Sequence, residues 1–316
     1  MIIRLPQAGS APWFWSFAAA VATWLVAITA SAGMGATAMI TAALSFSVFS
    51  VLVGVGQMFV IASGPGNIDL SIPSAIALGG VVAMKLMAGA NALTAEGLAA
   101  ACLVGIVVGL CNAGLIRALK VPPIIATLAM SFLLESVAIA YGRGLLVQPP
   151  PVLGWVTTVR ALGVPVLPVL GMLLTGALGV VLHRTVYGQS VLAIGQNTRA
   201  AWLAGFKIGR VRIITYALSG LLAGLCGALL ASFSGGAALD MGTEYLMASI
   251  AIVVIGGTSA SGGRANLLGI WGAALFLYLL RSMLNSLGFG MGWRLVLNGL
   301  IIVIVIVVAG GEKWER

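Results

Sequence analysis

Long apolar runs, separated only by polar or Gly/Pro breaks, recur from one end of this chain to the other. About ten can be bounded, at roughly 13-32, 37-62, 73-89, 94-116, 122-141, 163-182, 212-233, 244-258, 267-287 and 294-309. A helix crosses roughly 30 Å of hydrocarbon with about 20 apolar residues, because lipid offers backbone amides no partner and a helix satisfies them internally. The runs predict an all-α, polytopic membrane helical bundle of about ten transmembrane helices with broken or re-entrant segments, forming a single domain over residues 1-316. Composition agrees, since 61% of residues are hydrophobic and 7% charged, against about 25% charged in soluble domains.

The net charge of +9 is spread between apolar blocks and forms no dense patch, so it records topology rather than a nucleic-acid partner. With the N-terminus inside, the cytoplasmic segments hold Arg4, Arg117, Lys120, Arg184, Arg199, Lys207, Arg210, Arg212, Arg264, Lys313 and Arg316. Lys85, Arg143, Arg160, Arg281 and Arg294 fall outside or in the spans, a bias of 11 to 5 among 16 basic residues. Both termini are then cytoplasmic. Arg4, the apolar stretch from Trp13 to Ala30 and Ala30-Ser31-Ala32 also resemble a signal peptide, but the stretch is longer than the usual core, which favours an uncleaved first helix. Cys102, Cys111 and Cys226 lie inside apolar segments with no CxxC or Cys/His cluster and read as packing residues, with no disulfide framework or metal site.

Three breaks interrupt the helical pattern. The first, Gly64 to Ser74 (GPGNIDLSIPS), carries two glycines and two prolines that cannot continue a helix. Irregular backbone at membrane depth is tolerated where it is buried in protein or lines a watery cavity, so Asn67, Asp69 and Ser71 are candidate pathway residues. Asp69 or Ser71 can equally cap the helix starting near Pro73. The second break, Gly256-Gly257-Thr258-Ser259-Ala260-Ser261-Gly262-Gly263-Arg264, offers backbone amides and hydroxyls, with Gly256, Gly257 and Thr258 as candidate pathway residues. Its glycines resemble a phosphate loop, but no lysine follows a glycine, so a Walker A motif is absent and the chain carries no ATP-hydrolysing site of that kind.

The third break is a polar stretch over about 183-212. Within it Asn197 to Gly205 has the marks of a short capped helix, with Asn197 as N-cap, Arg199, Ala200 and Ala201 along its length, and Gly205 as a left-handed terminator. Small side chains with basic flanks suit a partner's groove; a surface helix without a partner is the plain alternative. His183, the single histidine, sits at a helix end and reads as a solvated interface residue. Glu135, in the span after Pro122-Pro123, is the remaining intramembrane acid; its cost demands protonation, pairing or a polar cavity, so it is a candidate pathway residue or a structurally paired one. Ser131 lies one turn before it and could share that face.

Taken in order, these segments resemble the permease subunits of bacterial ATP-binding-cassette importers for ribose and related sugars, a group that includes branched-chain amino acid permeases. GNIDLSIPSAIALGG (66-80) is similar to the family's GGIDLSVGS segment, and VPPIIATLAMSFLLESVAIAYGRG (121-144) to its P-x-F-I-A-T-L-G...RG stretch. The stretch 188-224 resembles the G-x-N-x-x-A-A-x-x-x-G-I loop with its following helix, and IVVIGGTSASGG (252-263) the V-V-I-G-G-T-S...G-G stretch. The resemblance implies that Asn197, Arg199, Ala200, Ala201 and Gly205 belong to a coupling helix that docks on a cytoplasmic ATPase. It implies further a periplasmic solute-binding protein, a second permease copy or paralogue, a place in the bacterial inner membrane, and ATP with magnesium in the partner rather than a cofactor here. Gly-Pro-Gly-Asn stands where Gly-Gly is usual, Ile72-Pro73 where Val-Gly is, and Phe206-Lys207 where isoleucine or valine is commoner first, so the solute is less defined than the class. A sugar is expected, with a branched-chain amino acid or nucleoside as the alternative. An ion-coupled secondary transporter would draw on Asp69 and Glu135. An intramembrane enzyme lacks any assembled catalytic constellation.

Overall fold

A computed structural model describes residues 13–30, 35–143 and 147–287, with isolated positions between 290 and 303. The helices are α1 (Trp13–Ala30), α2 (Ala36–Ala62), α3 (Ile72–Met87), α4 (Thr94–Leu119), α5 (Pro123–Gly142), α6 (Pro151–Thr158), α7 (Val166–Arg184), α8 (Val186–Gln196), α9 (Thr198–Leu203), α10 (Ile208–Phe233), α11 (Tyr245–Ile255) and α12 (Leu267–Ser286). The protein is an all-α membrane bundle. Among the described residues, six helices are long and apolar enough to cross a bilayer, and three apolar ones, Trp13–Thr29, Ile72–Met87 and Tyr245–Ile255, are shorter. At 1.5 Å per residue the 11 residues of α11 reach only about 16 Å. Against about ten expected spans, the described residues hold these six long helices and three short apolar ones, of which α3 and α11 lie next to the breaks. The run at 294-309 lies largely outside the described residues, as do Arg4, Ser31, Ala32, Arg294, Lys313 and Arg316.

Helix α10 occupies the centre, packed against α4, α3 and α2. Lipid tails are as apolar as leucine, so such helices associate through close van der Waals packing and hydrogen bonds rather than by escape from solvent. The α4–α10 contact shows this directly. A methyl group on Gly105 would collide with the Gly220 carbonyl oxygen, and one on Gly109 with that of Tyr216. Phe46, Phe49, Phe233 and Tyr278 fill the space between α2, α10 and α12 with ring centroids 5.0–5.4 Å apart. Helix α1 closes the other side of α12, its Ser16 and Phe17 seated over Gly272.

The apolar run expected at 163-182 begins instead with a small hairpin, in which Arg160 pairs with Pro165 and Ala161 with Val164. Leu162 and Gly163 turn it with φ of +50 and +82, the double positive φ of a two-residue hairpin loop. Helix α6, which starts on a proline at its first turn, is too short for periodicity to reveal. Cys226 is buried on α10 with its thiol 3.6 Å from the Phe49 carbonyl, as a packing residue should be. Cys111 is exposed on α4, and Cys102 partly so, so the packing reading does not extend to Cys111.

Candidate functional site

Two neighbouring structures make up the site: a buried polar network around Asp69, and a junction where all three breaks meet.

The loop between α2 and α3 folds inward. Asn67, Asp69 and Ser71 are each no more than 3% exposed, and Asn67 anchors its turn by donating from Nδ2 to the Gly64 carbonyl at 3.1 Å. The Asp69 carboxylate accepts from the Ser71 amide at 3.0 Å, the Ser71 hydroxyl at 2.6 Å, Asn112 Nδ2 at 3.4 Å and the Ser219 hydroxyl at 2.9 Å. Its own amide donates to Gln57 Oε1 at 3.2 Å. The next amide, of Leu70, donates to the Thr127 hydroxyl at 3.1 Å. One loop thereby ties together α2, α4, α5 and α10, each bond satisfying a group that would otherwise be orphaned in an apolar interior. The network is not saturated, since Gln57 Nε2, Asn112 Oδ1 and the Tyr216 hydroxyl are buried without a partner. Ser71 is the residue before α3 but its side chain caps nothing; Asp69 instead grips the Ser71 amide just ahead of the helix.

The second structure joins the breaks at one end of the bundle. The Gly263 amide donates to the Ala62 carbonyl at 3.0 Å, and Gln196 Nε2 donates to the Gly263 carbonyl at 3.3 Å. A methyl group on Gly195 would collide with the Ala62 carbonyl and the Gly263 amide, so only glycine admits this three-way approach. Beside it, the open face of Gly64 looks toward Arg212 Nη2 and the Thr198 hydroxyl, 3.5 and 3.8 Å from where a side chain would begin. The ends of α2, α8 and α11–α12 therefore meet directly.

Helix α9 projects from this junction. Asn197 Oδ1 accepts from the Ala200 amide at 2.9 Å, capping the helix start. At its end the Phe206 amide bonds the Ala201 carbonyl and the Gly205 amide that of Trp202, with Gly205 at φ +87. That is a Schellman termination, which the sequence anticipated at Gly205. Of the expected coupling residues, Asn197, Arg199, Ala200 and Gly205 are exposed, whereas Ala201, at 5% exposure, faces the chain's own core. The large exposed side chains are Trp202 and Leu203, at 55% and 68%, which sequence reasoning passed over although both lie in the quoted motif. Helix α8 links α9 to the bundle through Tyr187, whose hydroxyl lies 3.0 Å from that of Thr215 on α10. Burial pushes the Tyr187 phenol up to about 12, so it stays neutral in that contact.

The remaining candidates do not gather at one place. Gly256 packs backbone to backbone on Gly269, Gly257 turns with φ +86, and buried Thr258 accepts from the Asn266 amide at 3.1 Å. Glu135 lies on the exposed face of α5. Ser131, expected to share that face, turns to α3, its hydroxyl 2.7 Å from that of Ser74. His183 is exposed at the end of α7.

A family model described as "Branched-chain amino acid transport system / permease component" matches residues 38–306. The chain is 34% identical over 266 residues to the ribose import permease protein RbsC of Escherichia coli, covering 82% of this chain and 81% of that one. To the ribose import permease protein RbsC of Bacillus subtilis it is 35% identical over 274 residues, 81% of this chain and 80% of that one. To the autoinducer 2 import system permease protein LsrD of Yersinia enterocolitica it is 31% identical over 249 residues, 77% and 75% of the two chains. No solved structure matches the chain significantly.

Proposed function

The chain belongs to the family of branched-chain amino acid transport system permease components, and from that premise we propose that it is the membrane permease of an ATP-driven importer for a sugar. The observation that carries the solute class is the likeness to ribose import permeases over about four fifths of both chains. The family description names branched-chain amino acids, which keeps them as the second reading. In this proposal a periplasmic binding protein delivers the solute, and a cytoplasmic ATPase, which holds ATP and magnesium, docks on α9. A second copy or a paralogue completes the pathway. No Walker A sequence occurs in this chain, which supports leaving hydrolysis to the partner.

The exposed, carboxylate-bearing face of α5 is the pathway wall, because an acid there is costly against lipid. The loop of Asn67, Asp69 and Ser71, with Gly256, Gly257 and Thr258 at the junction, acts behind that wall as a gate. A push on α9 reaches this loop through Gln196, Gly263 and Ala62 without passing through any flexible side chain but one. The unpartnered atoms around Asp69 supply donors and an acceptor for a second arrangement. The ten-span topology, with both termini inside a bacterial inner membrane, is part of the same proposal.

The test is uptake of labelled ribose by proteoliposomes holding the permease, with the ATPase and binding protein from its own gene neighbourhood. Uptake should require ATP and both partners and be competed by unlabelled ribose more than by leucine. Uptake that persists without the ATPase and follows an imposed ion gradient sinks the reading, and competition by leucine alone sinks the sugar.

A further inference from the structure

Where α4 ends and α10 begins, a groove of about 490 Å³ opens between Arg117, Trp202, Phe206, Lys207, Ile208 and Arg210. Arg117, Lys207 and Arg210 are exposed, and the Arg117 guanidinium lies along the first turn of α10, 3.0 Å from where a side chain on Gly209 would begin. Arg199, outside the lining, stacks over the Trp202 ring at 4.7 Å and adds a cation beside the groove. No carboxylate among the described residues balances them. Asp69 is closed in its network, Glu244 pairs with Arg281, and Glu96 stands at the far end of α4, about 30 Å away at helical rise. Asp240 follows the distant end of α10 and Glu135 lies over two turns into α5.

The groove also continues into an apolar stripe. From Arg117 the exposed face of α4 runs back through Gly114, Leu110, Val107 and Leu103, spaced by three and four residues and so on one side of the helix. Leu110, Val107 and Leu103 are 44%, 50% and 61% exposed. Cations under an aromatic at the head of an apolar stripe about 20 Å long match one leaflet of a bilayer in both chemistry and length. A soluble partner can supply negative charge to the groove but cannot follow the stripe into hydrocarbon.

We propose that this groove holds the phosphate headgroup of an anionic phospholipid whose acyl chain lies along the exposed stripe of α4. The lipid sits between the last turn of α4 and the foot of α9. It fixes the level of α9 against the membrane surface, independent of which solute is carried.

Native mass spectrometry of the full-length chain in detergent, titrated with dioleoylphosphatidylglycerol or dioleoylphosphatidylcholine, tests this. The anionic lipid should bind more tightly, and Arg117→Gln/Arg210→Gln should weaken its binding by about tenfold or more, as expected for lost contacts to an anionic headgroup. Lys120→Gln/Arg184→Gln, which removes the same charge outside the groove, should leave it within about twofold of the parent. Inorganic phosphate should not displace the lipid, because it has no acyl chain for the stripe. The proposal is overturned if the two lipids bind alike, if both double variants lose binding equally, or if phosphate displaces the lipid. It is overturned too if the groove variant keeps the lipid and loses only its association with the ATPase, which would make the groove a protein-docking surface.

Discussion

Asp69 concentrates more structure than any other polar residue among those described. Its two oxygens receive four bonds from three side chains and an amide, and the loop it belongs to contacts four helices. Replacing it by asparagine keeps the volume but puts an amide where one oxygen accepted. One buried hydroxyl or amide then faces another donor, at a cost of about 1 to 3 kcal/mol. Asp69→Asn is expected to insert and purify normally, to melt several degrees lower, and to lose most ATP-dependent uptake. Unchanged melting and unchanged uptake would reduce the network to a bystander. Asn112→Ala offers the complementary case, since it removes a donor shared by Asp69 and Ser71. Asp69 was legible in the sequence as a lone acid in a Gly/Pro break, while its partners Gln57, Asn112 and Ser219 were not singled out. The signal available for them was the same one, a polar side chain isolated in an apolar run.

At the scale of elements, α9 divides into an inner and an outer face, and the two predict different failures. Ala201 is packed inside the chain, so Ala201→Trp overfills the permease itself, for about 1 to 3 kcal/mol of its own stability. Trp202 and Leu203 are exposed, so Trp202→Ala/Leu203→Ala should leave the melting temperature unchanged and weaken co-purification with the ATPase by about tenfold or more. Loss of thermal stability together with intact co-purification would show that these two side chains serve the fold. The capped start and glycine end of α9 could be read from Asn197 and Gly205, because capping is local. Which of Arg199, Ala200, Ala201 and Trp202 points outward could not, since that depends on where α8 and α10 arrive. The junction was hidden for the same reason: Ala62, Gly195 and Gly263 meet through backbone atoms contributed by distant stretches of sequence, and no side-chain pattern records such a meeting.

For the whole molecule, the breaks gather at the end that also carries the exposed Arg117, Lys207 and Arg210. Single cysteines at Arg199 and Gln148, in a background lacking Cys102, Cys111 and Cys226, should react with an impermeant maleimide only from the cytoplasm and only from outside respectively. The reverse pattern overturns the orientation. Long spans were readable because hydrocarbon thickness dictates their length. Short α6 was missed because eight residues carry too little periodicity, and α11 was overextended because a helix sheltered by neighbours is free of that rule. Between the two surfaces runs the α4–α10 pair, in contact through main-chain atoms at Gly105, Gly109 and Gly220. At those three positions backbone meets backbone and no rotamer can absorb a displacement, while Ala113, Ile116, Ile213 and Tyr216 pack the same pair further along. The pair should therefore act as a strut rather than a spring, carrying a tilt at the Arg117 end toward the opposite end of α4 while the less buried α5 and α7 yield around it.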